Sequence, residues 1–148
     1  MTIIEELEQI RSEHGGILYP TDVVEYAQDP GTELHRRFEW DDTKAAHQHR
    51  LWQARHIINV HVTVLKKDDI RIDTYVSLRA DRNDSGERGY RSVIEVMSSD
   101  DLRATLLEEA LLDFERWEEK YKSIKELAGI FAAAKTLRQR RDLVPIPA

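Results

Sequence analysis

The chain has 148 residues, of which 41% are hydrophobic and 34% are charged, and its formal net charge is −6. These proportions are typical of one soluble domain, or of a small domain with a helical extension. Because the chain contains no cysteine, disulfides, thiolate nucleophiles and cysteine-ligated metal sites are excluded. It has no apolar run of the roughly 20 residues that a membrane span needs, and its acidic start, MTIIEELEQI, is unlike a signal peptide. We therefore expect a cytoplasmic protein without a membrane partner.

The negative charge is concentrated at the N-terminal end. Residues 1–30 hold seven acidic side chains and one basic side chain, whereas residues 31–100 and 101–148 are each balanced. A DNA-binding domain usually has a basic face, so the overall charge counts against DNA. A short basic end still permits a local contact: Lys135, Arg138, Arg140 and Arg141.

Apolar periodicity and turn residues predict helices in the first part of the chain. The predicted segments are a helix over Thr2–Glu13 that Gly15-Gly16 ends, a short helix that Pro20 opens, a single turn that Thr32 caps, and a helix over about Thr43–Ile58. From Asn59 the period changes to two, which predicts strands. These are the two strands of a hairpin, Val60–Leu65 and Ile70–Leu78 around the turn Lys66–Asp69, and a third strand over about Tyr90–Met97.

An apolar stripe with alternating spacings of three and four residues marks the C-terminal region. We call it the seam: Leu107, Ala110, Phe114, Trp117, Tyr121, Ile124, Ala128 and Phe131. This spacing is that of a coiled coil, and because there is no proline from Asp100 to Val144, one long helix can carry it. A helix over residues 100–138 would be about 58 Å long and would need a partner, so we expect a homo-oligomer, with a dimer favoured. Ser123 and Gly129 leave a helical hairpin as the alternative.

The predicted fold class is α+β. N-terminal helices precede a three-stranded antiparallel sheet, and one long C-terminal helix or a helical hairpin follows. The predicted boundaries are residues 1–98 for the α+β domain, 99–141 for a helical oligomerisation segment and 142–148 for an extended tail.

The stretch Phe38-Glu39-Trp40-Asp41-Asp42 places three carboxylates within four residues, and His47 and His49 follow it. Carboxylates and histidines bind divalent metals, but these spacings do not bring the side chains to one face of a helix. We interpret the stretch as a structural junction, in which Phe38 and Trp40 are anchors and Asp41 or Asp42 caps the next helix. We expect no metal and no cofactor.

Catalytic signatures are missing from the sequence, which has neither a nucleophile elbow nor a glycine-rich phosphate loop. Candidate nucleic-acid contacts are basic and aromatic residues: Arg50, Arg55, Tyr75, Arg79, Tyr90, Arg91, Arg138, Arg140 and Arg141. A winged-helix arrangement would use the helix over Thr43–Ile58 for recognition, although Asp41 and Asp42 lie at the end that would approach DNA. Trp52 lies opposite the apolar positions of that helix and marks either a surface contact or a second buried face.

Several motifs together resemble a family of small phage and prophage proteins. They include the FEWDD stretch at Phe38–Asp42 and Gln53-Ala54-Arg55, and further matches are Gly16–Pro20, Val23-Val24-Glu25, Tyr75–Leu78, Gly89-Tyr90-Arg91 and Tyr121 to Phe131. Tyr19 departs from the pattern, since relatives tend to have a capping threonine there. The resemblance implies a phage or prophage origin, and therefore the host cytoplasm, but it implies no reaction.

Genes of this kind often accompany phage DNA-recombination or regulatory genes, and this association, which is not a mechanism, favours a role in DNA metabolism. The leading hypothesis is a non-enzymatic, self-associating protein that binds DNA or a DNA-processing partner. A second hypothesis is an interaction protein that targets a host factor through its acidic N-terminal helix. A third is a metal-dependent hydrolase or nuclease built on Glu39, Asp41, Asp42 and His47.

Overall fold

The computed structural model describes residues 1–40, 44–65 and 70–142, and these combine helices with short antiparallel strands. The helices are α1 (Ile3–Glu13), α2 (Pro20–Tyr26), α3 (Lys44–Val60), α4 (Val93–Ser98), α5 (Asp100–Tyr121) and α6 (Ala128–Asp142). The strands are β1 (Val62–Leu65), β2 (Ile70–Asp73), β3 (Tyr75–Val76) and β4 (Arg91–Ser92). Short 3-10 helices cover His35–Arg37, Arg79–Asp81 and Lys125–Leu127. The predicted mixture of helix and antiparallel sheet is confirmed.

The contacts divide the chain into two units, Met1–Asp100 and the part from Asp101 onward. The extended tail predicted over 142–148 lies outside the described residues except for Asp142, which ends α6. Among the described helices, none combines the length and the apolar character that a bilayer crossing needs.

Local signals in the sequence set the ends of the first helices. Thr2 and Glu5 form a capping box, in which each side chain accepts the other residue's backbone N–H, and this satisfies donors that a helix start leaves unpaired. Gly15 and Gly16 have φ values of 69° and 87° after α1, a conformation that glycine adopts without strain. Pro20 occupies the first position of α2, as predicted.

The strands pair in two ladders, so the predicted three-stranded sheet is not confirmed. β1 pairs with β2 and β3 pairs with β4, both antiparallel. Thr74 lies between the ladders: its N–H donates to His61 O, and its carbonyl oxygen accepts from Val93 N–H. The chain therefore changes its pairing partner at Thr74, from β1 on the β2 side to β4 on the β3 side. The turn predicted over Lys66–Asp69 lies outside the described residues.

Most of the segment predicted as the third strand is a helix in the structure. Only Arg91–Ser92 forms a strand, and Val93–Ser98 forms α4. Val96 is fully buried while Ile94 and Met97 are exposed, which fits the three-residue spacing of a helix rather than strand alternation.

The core of the first unit joins α1, α2, α3 and the strands. It includes Leu7, Ile10, Leu18, Val23, Val24, Ala27, Leu34, Phe38, Ala54, Ile58, Tyr75 and Tyr90. Glu6 is buried beside this core, and its carboxylate accepts the backbone N–H groups of Glu33 and Leu34 at 2.8 Å each. A buried carboxylate needs such partners, and this one fixes the loop before the 3-10 helix His35–Arg37 to α1.

The second unit is a helical hairpin, which is one of the two arrangements that the sequence left open for this region. α5 ends at Tyr121, and Ile124 has an extended backbone (φ −88°, ψ 102°) before α6 begins. The rings of Trp117 and Phe131 pack edge to face with centroids 5.6 Å apart, and Arg138 pairs with Glu115 at 3.4 Å. Seam residues of α5 and α6 therefore contact each other within one chain.

Candidate functional site

An open groove lies beside α3 in the first unit. It has a volume of about 430 Å³ and is lined by Ile3, Arg37, Trp52, Gln53, His56, Ile57, Val60 and His61. Trp52 is 57% exposed, which decides between the two interpretations of this residue in favour of a surface position. We call this feature the Trp52 groove.

Three aromatic rings follow one another along the exposed face of α3. The ring centroids of His49 and Trp52 are 5.6 Å apart with planes at 17°, and those of Trp52 and His56 are 5.7 Å apart with planes at 5°. Residues three and four apart on a helix lie on the same side, so the spacing in the sequence places these rings in a row. The row presents a nearly parallel set of π faces around an exposed indole.

The polar side chains that line the Trp52 groove are neutral or basic, and Gln53 is one of them. Arg37, His56 and His61 line it, and no carboxylate does so among the described residues. Burial, and then the charge of Arg37, lowers the pKa of the His61 imidazole below its ordinary value. The His61 Nε2 atom is buried and makes no hydrogen bond to any described residue. The groove thus suits an anionic or hydrogen-bonding ligand in a protein whose net charge is −6.

Phe38 and Trp40, the two aromatic residues of the junction before α3, both make contacts within the first unit. Phe38 is buried, and Trp40 stacks on His35 with centroids 4.8 Å apart while its Nε1–H donates to His35 O at 3.1 Å. The guanidinium carbon of Arg50 lies 5.3 Å from the centre of the Trp40 ring, a cation–π contact. These contacts position the start of α3 against the core.

The carboxylates proposed for a metal site are only partly described. Asp41 and Asp42, with their predicted capping role, lie outside the described residues. Glu39 is exposed and its Oε2 is 3.9 Å from His49 Nε2. In the parts of the chain that the structure describes, no group of three acidic or histidine side chains is arranged to hold a metal ion.

The two tyrosines predicted to contact nucleic acid lie in the core. Tyr75 and Tyr90 are 5% and 6% exposed, so neither ring offers a face on which a base can stack. The Tyr75 hydroxyl donates to Glu8 at 2.7 Å. Burial, and then the hydrogen bond and charge of Glu8, raise the pKa of Tyr75.

The predicted basic contacts differ in their exposure and in their ion pairs. Arg91 pairs with the buried Asp81, and Arg138 pairs with Glu115 and Glu118. Arg55 is half-buried, whereas Arg79 and Arg140 are exposed. The side chain of Arg141 lies outside the described residues.

The seam remains largely open to solvent in the second unit. Its residues Ala110, Phe114 and Trp117 line an open cavity of about 500 Å³ together with Asp113. Within α5, every residue of which is described, none of the 22 residues is buried. Phe131 of α6 is buried because it packs on Trp117.

The Trp52 groove is the feature that sequence reasoning did not find. The available signal was the spacing of His49, Trp52 and His56, which places three rings on one face of a helix whose other face is apolar. Arg37, Ile3 and His61 come from other segments, and no local pattern places them beside α3.

No family model, no curated protein and no solved structure matches this chain. The resemblance to phage and prophage proteins therefore stays a prediction.

Proposed function

We propose that this chain is a non-enzymatic phage or prophage protein that self-associates through its C-terminal hairpin and acts by binding in phage DNA metabolism. The observation that carries the proposal is the open apolar face of α5. The DNA context comes from the resemblance to phage and prophage proteins, and the Trp52 groove, which contains Arg37 and aromatic rings, is compatible with it.

The open face of α5 supports association because an amphipathic helix is stabilised when its apolar side packs against another element. None of the residues of α5 is buried, and Ala110, Phe114 and Trp117 face an open cavity of about 500 Å³. Burial of this apolar surface against a second copy would favour association. α6 has 15 residues against 22 in α5, so α6 is too short to cover the whole of α5.

The charges of the hairpin favour a second copy of the chain as the partner. α5 has eight acidic and three basic side chains, whereas α6 has four basic side chains and one acidic side chain. Arg138 already pairs with Glu115 and Glu118 between these helices. Two hairpins packed together would oppose acidic and basic helices again, as the e and g positions of a coiled coil do.

A matched pair of substitutions tests this proposal. Leu107 and Leu112 are both exposed leucines of α5, but Leu112 lies about 140° around the helix from Leu107, at 100° per residue. Leu107 belongs to the seam and Leu112 lies on the opposite side.

The measurement is the mass of each purified variant by light scattering. We expect Leu107→Glu to lower the mass to that of a monomer, because it would bury an unpaired charge at the interface. Leu112→Glu should keep the mass of the unaltered chain. An unaltered chain that is monomeric, or a Leu107→Glu variant with unchanged mass, would overturn the proposal.

A further inference from the structure

We propose that the Trp52 groove binds single-stranded nucleic acid, with a base stacked on Trp52 and a phosphate held by Arg37. This inference deepens the proposed function and takes only its DNA context from it. The contacts that carry it lie in the first unit, whereas self-association is assigned to residues of the second unit.

The aromatic row provides the stacking surface. Trp52 is 57% exposed, and its plane is within 17° of His49 and within 5° of His56. Proteins that bind single strands use exposed aromatic rings in this way, because every base has a π face. The bases of a duplex are already stacked on one another, so the row favours a single strand.

The charges of the groove complement a phosphate backbone. Arg37 is exposed at the groove and carries a positive charge, and the imidazoles of His56 and His61 line the same space. No carboxylate lines the groove among the described residues, so a phosphate there meets no like charge.

The apolar part of the lining favours a ligand that itself has apolar surface, as the face of a base does. Ile3, Ile57 and Val60 lie beside the indole of Trp52 in a space of about 430 Å³. A base stacked on Trp52 would cover these side chains and remove apolar surface from water. Binding would thus combine stacking, apolar burial and phosphate attraction at one place.

The first test measures the affinity of the full chain for a labelled short oligothymidylate by fluorescence anisotropy. Trp52→Ala should weaken binding about fivefold or more, since fivefold is the lower end of what the stacking of one base on an aromatic ring contributes. The matched control is Ile94→Ala, because Ile94 is 54% exposed on α4 and does not line the groove. It should leave the affinity unchanged.

The second test measures the salt dependence of binding with two neighbouring arginines. Arg37 lines the groove, whereas Arg36 pairs with Glu33 at 2.8 Å on the surface. Arg37→Gln should reduce the slope of log affinity against log salt by about 0.7, the value for one phosphate contact of a single strand. Arg36→Gln should keep the slope of the unaltered chain.

The outcomes separate this inference from self-association. If the unaltered chain binds no single strand, or if Trp52→Ala and Ile94→Ala bind it equally, the inference is overturned whatever the mass of the protein. A chain that prefers a duplex, or that binds an acidic peptide in place of the oligonucleotide, overturns it as well. If the unaltered chain is a monomer that binds the single strand, and Trp52→Ala weakens this binding, the inference about the Trp52 groove is supported. Only the proposed self-association is then contradicted.

Discussion

Arg91 donates three hydrogen bonds to the carboxylate of Asp81, with donor–acceptor distances of 2.7 to 2.9 Å. The Asp81 side chain is 3% exposed and that of Arg91 is 21% exposed. The hydrogen bond to Asp81 is the largest contribution that raises the pKa of Arg91. The pair joins the 3-10 helix Arg79–Asp81 to β4, so we assign Arg91 a structural role.

Removal of Arg91 should therefore destabilise the fold. Arg91→Met leaves the Asp81 carboxylate buried without its partner, which we expect to cost about 3–5 kcal/mol of unfolding free energy. The measurement is a double-mutant cycle in urea with Asp81→Leu. The double variant should lose less than the sum of the two single losses, and additive losses would contradict a coupled pair.

Gly89 is required because no side chain fits at its position. A Cβ atom at Gly89 would lie 2.6 Å from the backbone oxygen of Asp81 and 2.8 Å from Cε1 of Tyr19. We expect Gly89→Ala to lower the free energy of unfolding by about 1–3 kcal/mol through this overlap. Gly129→Ala is the control, since a Cβ atom there meets no described atom within 4 Å. It should increase stability by up to about 1 kcal/mol, because alanine favours a helix over glycine; equal effects of the two substitutions would refute the steric account.

His61 should make stability depend on pH. Its pKa in the folded protein lies below the ordinary value of 6.5, through burial and then the charge of Arg37. Between these two pKa values the unfolded chain binds more protons, so the free energy of unfolding falls as the pH falls through this window and levels off below it.

The measurement is urea denaturation at several pH values from about 7.5 to 5, below the ordinary pKa of histidine. We expect the unaltered chain to lose more stability over this range than His61→Gln, which does not titrate there. His56→Gln is the control for an exposed histidine of the same groove. Parallel curves for His61→Gln and the unaltered chain would refute the assignment.

Tyr75 should matter for stability but not for nucleic-acid binding. Tyr75→Phe removes the 2.7 Å hydrogen bond to Glu8, which we expect to cost about 0.5–1.5 kcal/mol. Because the ring is buried, the affinity for a labelled oligothymidylate should not change at temperatures where the variant is folded. A weaker affinity with intact folding would restore the role that the sequence predicts for Tyr75.

Local signals allowed the first helices to be predicted, whereas the strand pairing depended on distant residues. Thr2 with Glu5, Gly15-Gly16 and Pro20 act within a few residues, so their effect is readable in the sequence. The change of partner at Thr74 requires both His61 and Val93, and no periodicity contains that information. Val93–Ser98 is too short for its apolar pattern to separate helix from strand.

For the C-terminal region and for the candidate site, the sequence pattern is compatible with more than one tertiary arrangement. The seam spacing is equally regular in one long helix and in a hairpin, and the extended backbone of Ile124 decides between them. The position of Trp52 opposite the apolar face of α3 was readable, but its exposure depended on whether another segment covers it. Arg37 and His61 join the Trp52 groove only through the tertiary fold.

The most direct test of the account is light scattering of the unaltered chain, alone and with a short single strand or a short duplex, at low and moderate salt. We expect a dimer or larger assembly that gains mass with the single strand, and gains less as salt rises, because counterion release drives phosphate binding. A monomer whose mass changes with neither nucleic acid would contradict both the self-association and the binding role.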